Sequence, residues 1–240
     1  VLAEKHRFDE VYKDYIGRKF WVNRDTDFEE FSEFAEGVEY VFCKPIESGG
    51  GLGTEKHKVE DKRELYNLLM SKERLLVEEC IRQHPEVDEF VPGCVCTIRV
   101  VVIRQGDEVH TICAGMRFGH TTITDNFSHD GMVADIDIES GTIITDAIDK
   151  KGSVYEVHPI SGKRFKGFEI PKWNMVREVT EKAMHVQDGV NYVGWDVAIC
   201  EDKAVLVEGN AMPDLVLIQA PYAPVKKGMK YLFTPYMEDK

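Results

Sequence analysis

The stretch Gly194-Trp195-Asp196-Val197-Ala198-Ile199-Cys200, followed by Ala204-Val205-Leu206-Val207-Glu208-Gly209-Asn210, decides how this chain is read. Each half alternates apolar residues with small or polar ones, the period-2 signature of a strand. The polar break Glu201-Asp202-Lys203 reads as a hairpin loop. With those residues as the loop, Cys200 faces Ala204, Asp196 lies opposite Glu208, and Asn210 follows on the same face. Val197, Ile199, Val205 and Val207 then share the other face, against a core. Carboxylates placed opposite each other repel unless something positive lies between them. Oxygen ligands from Asp, Glu and Asn suit Mg²⁺, which takes one or two carboxylates and leaves its remaining positions to water and phosphate oxygens. An edge hairpin with solvated acids fits the same pattern, so the rest of the chain has to decide. Register is the sharp expectation, because a one-residue slip would put Asp196 and Glu208 on opposite faces.

The chain of 240 residues carries 30 Lys and Arg against 43 Asp and Glu, a net charge of −13. That balance argues against a general nucleic-acid or anionic-membrane surface and leaves room for a local basic pocket. No apolar run approaches the roughly 18 residues of a membrane helix, and no signal peptide is read. The sequence opens at Val1 in helix-like residues, so a further N-terminal portion is expected. Six cysteines lie scattered through apolar stretches, and Cys94-Val95-Cys96 has no partner pair at zinc spacing. They read as reduced, buried thiols of a cytoplasmic protein. The histidines show neither H-x₃-H nor H-E-x-x-H spacing, which argues against a zinc hydrolase.

Working outward, residues 3–16 place Phe8, Val11, Tyr12, Tyr15 and Ile16 on one helical face, with Gly17 as the stop. Lys5 stands near the start of this helix, off the apolar stripe. A short strand Phe20-Trp21-Val22 and an acidic helix over 27–36 follow. The strand from Tyr40 to Ile46 carries one charge, Lys44, in an otherwise apolar run, and such a lysine needs an anionic partner. Directly after it, Gly49, Gly50, Gly51 and Gly53 form a loop whose backbone N–H groups can approach phosphate oxygens. No Gly-Lys-Ser/Thr closes it and no Gly-x-Gly-x-x-Gly can be laid on it, so it is neither a P-loop nor a dinucleotide fingerprint.

A helix over 61–72 leads to a buried strand Leu75-Leu76-Val77 that ends in Glu78-Glu79-Cys80-Ile81. Long strands are expected over 94–103 and 109–116, with Arg99 inside the first, needing a cross-strand acid or a ligand phosphate. Residues 117–131 read as a polar, irregular loop, 132–138 and 142–146 as a hairpin, 150–171 as loop, and 174–185 as a helix. The order is α+β, in two lobes around a cleft.

Together these pieces resemble the ATP-grasp fold, and more narrowly the sugar-transfer-associated ATP-grasp family, related to the α-L-glutamate ligases. The carrying stretches are Asn126-Phe127-Ser128-His129-Asp130-Gly131, His158-Pro159, Ile170-Pro171-Lys172-Trp173, Gly194-Trp195-Asp196 and Glu208-Gly209-Asn210, and the resemblance covers nearly all of the chain. It implies residues 1–17 as the leading helix of the core, 18–81 as a small lobe, and 82–240 as a C-terminal lobe with a large antiparallel sheet. Against the family pattern, the expectation is that the N-terminal domain usual in such ligases is absent from this sequence.

The resemblance implies that Lys5 and Lys44 contact the phosphates of ATP, with the glycine loop as a lid. Glu78, Glu79 and Ile81 would lie in the hinge at the adenine edge, and Glu86 at the ribose. Asp196, Glu208 and Asn210 would hold one or two Mg²⁺ ions. Arg99 and Arg117 would stabilise the transferred phosphoryl group, with Asn126, His129 and His158 toward substrate. The leading functional expectation is an ATP-dependent carboxylate–amine ligase working through an acyl phosphate. The family association suggests an amino acid joined to an amino-sugar or glycan precursor, in polysaccharide biosynthesis. Phosphotransfer to a hydroxyl and a non-catalytic nucleotide-binding module are the alternatives; intact Lys44, Asp196, Glu208 and Asn210 argue against the last.

Overall fold

Two sheets, one of four strands and one of seven, organise the computed structural model, which describes residues 1–2, 4–24, 27–46, 53–120 and 124–237. The chain divides into two compact units, Val1–Ile81 and Arg82–Lys240. Among the described residues no helix is long and apolar enough to cross a membrane. All six cysteines are free, and Cys43, Cys94, Cys96 and Cys113 are buried.

In the first unit the expected leading helix is interrupted at Tyr12, giving α1 (Lys5–Val11) and α2 (Lys13–Ile16) before Gly17 stops it at φ 58°. There follow β1 (Phe20–Val22), α3 (Phe28–Phe34), β2 (Tyr40–Pro45), β3 (Glu55–Lys58), α4 (Lys62–Met70) and β4 (Leu75–Glu79). Asp27 and Asp61 start α3 and α4 by accepting from two backbone N–H groups each, caps worth about 1 kcal/mol apiece. The strand order is β1-β4-β2-β3. Strand alternation turns Trp21, Val41, Cys43, Leu75 and Val77 toward Phe31, Phe34, Leu65 and Leu69 of the helices. Phe42, Lys44, Leu76 and Glu78 fall on the opposite face, since Phe42 pairs with Glu78 and Lys44 with Leu76. Gly49, Gly50 and Gly51, expected in the phosphate loop, lie outside the described residues.

The second unit runs α5 (Pro85–Asp88), β5 (Ile98–Gln105), β6 (Glu108–Phe118), β7 (Met132–Ile136), β8 (Ala147–Asp149) and β9 (Val154–Tyr155). It continues with α6 (Trp173–Ala183), β10 (Tyr192–Ile199), β11 (Ala204–Asn210), α7 (Leu215–Gln219) and α8 (Lys230–Phe233). The sheet is antiparallel throughout, in the order β11-β10-β5-β6-β7-β8-β9. The strand expected from Cys94 begins only at Ile98. The Gln83 side chain takes the place of a partner strand for Cys94 and Cys96, donating to the Cys94 carbonyl at 2.5 Å and accepting from the Cys96 N–H at 2.9 Å. Residues 142–146 make only bridges at Thr142 and Ile143, and the strand that pairs with β7 is 147–149. A short strand, β9, lies within the expected loop 150–171.

The deciding hairpin is β10–β11, and its register holds a bulge. Cys200 donates to the Lys203 carbonyl at 2.8 Å, Ile199 pairs with Ala204 and Val197 with Leu206, one residue off the expected pairing near the loop. The extra residue, Val207, absorbs the shift, so that Asp196 lies opposite Glu208 and Gly194 opposite Asn210. The buried pair on β11 is therefore Val205 and Leu206, and Val207 is half-buried. β10 is flanked by β5 and β11, so Val193 to Ile199 are buried without exception.

Candidate functional site

Cross-strand pairing lines up Glu208, Asp196, Arg99, Gly115 and Asp135 as one row across β11, β10, β5, β6 and β7. Directly opposed residues share a face, so these side chains emerge together. Arg99 finds the acid its apolar surroundings demand: Nε donates to Asp196 Oδ1 at 2.5 Å and Nη2 to Oδ2 at 3.1 Å. Gly194, two residues before Asp196, makes this possible. A Cβ there would meet Pro213 Cβ at 2.5 Å and Arg99 Cδ at 2.9 Å.

Arg117 approaches Asp196 from one residue pair further along β6, donating from Nη2 to Oδ2 at 2.9 Å. Its Nε donates to Thr97 Oγ1 at 2.8 Å and lies 3.4 Å from Asp125 Oδ2. Asp125 in turn accepts from the Thr97 N–H at 2.7 Å and the Thr97 hydroxyl at 2.5 Å. Thr97 and Asp125, both buried, are members of the site that sequence reasoning missed. Only the polar character of the loop around Asp125 pointed toward it.

The electrostatics divide the two facing acids. Burial alone would raise Asp196, but Arg117 and Arg99 outweigh it and hold the carboxylate below its usual range. Asp125, then Asp196 and Glu208, hold Arg117 above the ordinary guanidinium value, against the effect of burial. Glu208 keeps exposed surface, yet enclosure by its neighbours and the charge of Asp196 push it up, with Arg117 and Asn210 opposing. Asn210 Nδ2 donates to Glu208 Oε1 at 3.2 Å and to the Gly194 carbonyl at 3.3 Å. Two guanidinium groups thus balance Asp196 and Asp125, and an ionised Glu208 is the charge left over. A hard divalent cation fits that excess and the oxygen donors beside it. Among the described residues no group of three or more His, Cys, Asp or Glu is placed to hold a metal; this set has two carboxylates and one amide.

In the first unit the strand lysine is also satisfied. Lys44 is ion-paired with Glu78, which Arg18 Nε also approaches at 2.5 Å, and Arg18 Nη2 reaches Asp9 at 3.4 Å. The Glu78 carboxylate is 2% exposed; burial would raise it, but Arg18 and Lys44 hold it down to about 2. The Glu78 side chain neutralises Lys44, and its backbone sits in the inner strand β4. The Glu79 and Cys80 N–H groups donate to the carbonyls of Lys19 and Tyr40, so strand pairing takes those donors as well. Lys5 Nζ donates to the Pro45 carbonyl at 2.9 Å. Gly53, at φ +73°, leaves Pro45 Cγ only 3.1 Å from where its Cβ would be. Lys5, Lys44 and Gly53 therefore meet at the end of β2.

The remaining candidates are placed less centrally. Glu86 is exposed in α5, with its carbonyl taken by Lys163. Asn126 Oδ1 accepts from Ser128 N–H at 2.9 Å and the Asn126 carbonyl accepts from the His129 and Gly131 N–H groups, a tight turn with His129 exposed. Gly131 is obligatory there, since a Cβ would lie 2.5 Å from the Asp125 carbonyl oxygen. His158 lies in the core. Its ring is fully buried against Phe90 and Phe165, Nε2 donates to the Gly119 carbonyl at 2.9 Å, and Nδ1 faces the Ile160 and Ser161 N–H groups. Burial holds its pKa down, consistent with a neutral core histidine.

The fold is that of the ATP-grasp proteins. D-alanine–D-alanine ligase from Bacillus anthracis superposes with a TM-score of 0.54 at 10% identity, over 98% of this chain and 66% of its own. The ATP-grasp ligase PsnB, in complex with a phosphomimetic variant of its minimal precursor, Mg and ADP, gives 0.52 at 15% identity, over 98% and 59%. Carboxyaminoimidazole ribonucleotide synthase from Aspergillus clavatus with ATP gives 0.52 at 13%, over 89% and 45%. The chain thus spans less than two thirds of each of these proteins. The family model described as sugar-transfer associated ATP-grasp matches residues 54–230, and the chain belongs to that family. No curated protein matches the sequence.

Proposed function

We propose that the chain is the catalytic portion of an ATP-dependent carboxylate–amine ligase. The observation that carries this reading is the row Glu208–Asp196–Arg99, with Arg117 and Asn210 beside it on a protein of net charge −13. Phosphoryl transfer asks a protein mainly for positioning and cationic neutralisation. A strongly acidic chain that gathers a buried arginine, a largely enclosed one and an acid–amide pair on one sheet face is suited to that task.

In this reading Lys5 and Lys44 take phosphate oxygens of ATP, Gly53 belongs to the loop that approaches them, Ile81 offers its backbone to adenine, and Glu86 is assigned to the ribose. Glu208, Asn210 and Asp196 hold Mg²⁺, with Asp196 the weakest contributor because both its oxygens already accept from arginine. Bound there, the ion neutralises charge on the phosphates and orients them. Arg99 and Arg117 stay fixed by Asp196 and stabilise the charge that develops as the phosphoryl group passes to a substrate carboxylate. The acyl phosphate is then attacked by an amine, giving an amide, ADP and phosphate. The relatives support the general chemistry: PsnB is solved with Mg and ADP, and the synthase with ATP. Asn126 and His129 are the proposed substrate contacts, with an amino acid and an amino-sugar or glycan precursor as the pair to be joined, in the cytoplasm.

ADP release measured across a panel of carboxylates, with and without amines, tests this; if none stimulates release, the ligase reading fails. Hydroxylamine separates it from phosphotransfer to a hydroxyl, because only an acyl phosphate yields a hydroxamate. Binding of Mg·ATP without turnover on any acceptor would leave a nucleotide-binding module.

A further inference from the structure

Asp9, on α1, is 1% exposed and has no part in the roles assigned so far. Oδ1 lies 3.4 Å from Arg18 Nη2, while Oδ2 is enclosed and accepts from no donor. The charged groups that act most strongly on it form one cluster: Glu78 of β4, Arg18 after α2, and Lys44 of β2. Asp9 and Glu78 stand within hydrogen-bonding reach of each other, and two buried carboxyls in contact cannot both be ionised at low cost. Glu78 has the better cation contacts, so the proton resides on Asp9.

We propose that Asp9 is a positioning residue for the phosphate lysine, carrying a proton that decides how much positive charge Lys44 offers. This rests on the reading of Lys44 as a phosphate contact. Within this cluster a neutral Asp9 leaves Arg18 and Lys44 against the Glu78 carboxylate, a balance of one positive charge for an anion. With Asp9 ionised, that charge is cancelled and Lys44 is held in the cluster. Burial, then Glu78, raise the Asp9 carboxyl to about 7 against Arg18 and Lys44, so the change falls in the neutral range. Its sign follows: nucleotide affinity falls as pH rises through that value.

Titration calorimetry of Mg·ADP, at saturating Mg²⁺ between pH 6 and 8.5, tests this on wild type, Asp9→Asn and Lys44→Ala. Wild type is expected to lose about tenfold in affinity across the range, within the usual span of coupling between sites. Asp9→Asn should keep the low-pH affinity throughout, and the titration of ADP itself is common to both proteins. A flat wild-type profile, or an Asp9→Asn profile that follows wild type, overturns the proposal while leaving Lys44 in place. If Lys44→Ala binds as tightly as wild type, the phosphate reading fails and takes the proposal with it. Infrared spectra of the free protein give a readout without nucleotide: a protonated-carboxyl band that disappears near pH 7 in wild type and is missing in Asp9→Asn supports the assignment. A band unchanged by the substitution overturns it.

Discussion

Asp196 shows how a buried charge is made tolerable here and what depends on it. Fully buried, it is held by two guanidinium groups that are themselves nearly enclosed. Breaking such a pair leaves an uncompensated charge, so Arg99→Ala should cost about 3 kcal/mol in chemical denaturation, beyond any effect on turnover. Glu208 is the contrasting case. Its neighbour repels it and its own surface is open, so the fold gains little from its ionisation. Glu208→Gln should therefore lower turnover by about a hundredfold or more while the thermal midpoint does not fall. Asp9 adds a pH dependence whose sign is fixed by the direction of its shift. Its folded value is raised from 3.8 to about 7, so the native state holds a proton that the unfolded chain has released. Stability is then lost as pH rises between those values and stays low above them. Asp9→Asn, which never ionises, should melt at a higher temperature than wild type at pH 8, and that gain should shrink toward pH 4.

Gly194 is where a single backbone position governs an element's function. A methyl group there would press on Pro213 and on the Arg99 side chain. Gly194→Ala should cost about 2 kcal/mol by overpacking and reduce ADP release further than that loss of stability explains, because Arg99 is pushed off Asp196. The β10–β11 hairpin was legible in the sequence because acids interrupt an apolar alternation at one spacing. Its bulge was not, since Val205, Leu206 and Val207 are all apolar and the period-2 pattern has nothing there to mark a slip. Arg99 and Lys44 were legible as charges needing partners, but a partner supplied by a distant strand or loop leaves no mark beside them. Glu78 and Asp196 are such partners. The burial of His158 was not legible, because a histidine among aromatic rings is written in sequence like one facing a ligand. Residues 142–149 were displaced by a few positions because Thr, Ile and Ala suit a bridge and a strand equally.

For the whole molecule, the balance of charge says what a metal ion is needed for. The chain carries −13, and ATP brings further negative charge, so attraction has to be local. In the second unit the buried Asp196 and Asp125 are already neutralised by Arg99 and Arg117, without a metal ion. The hydrophobic patch further along the same sheet face, with Val101, Cys113 and Val133 against Leu217, Ile218 and Met229, closes without any metal ligand. Folding and metal binding should therefore be separable, unlike in domains whose core is assembled on an ion. Chelation of divalent cations is expected to abolish ADP release and weaken ATP binding, and to move the thermal midpoint of the nucleotide-free protein by no more than about one degree. Calorimetric melting with and without EDTA checks the second half, and the same samples assayed after Mg²⁺ is restored check the first. A large drop in melting temperature on chelation would mean that Glu208 and Asn210 hold a structural ion, and the division of labour between arginine and metal drawn from Asp196 would be wrong.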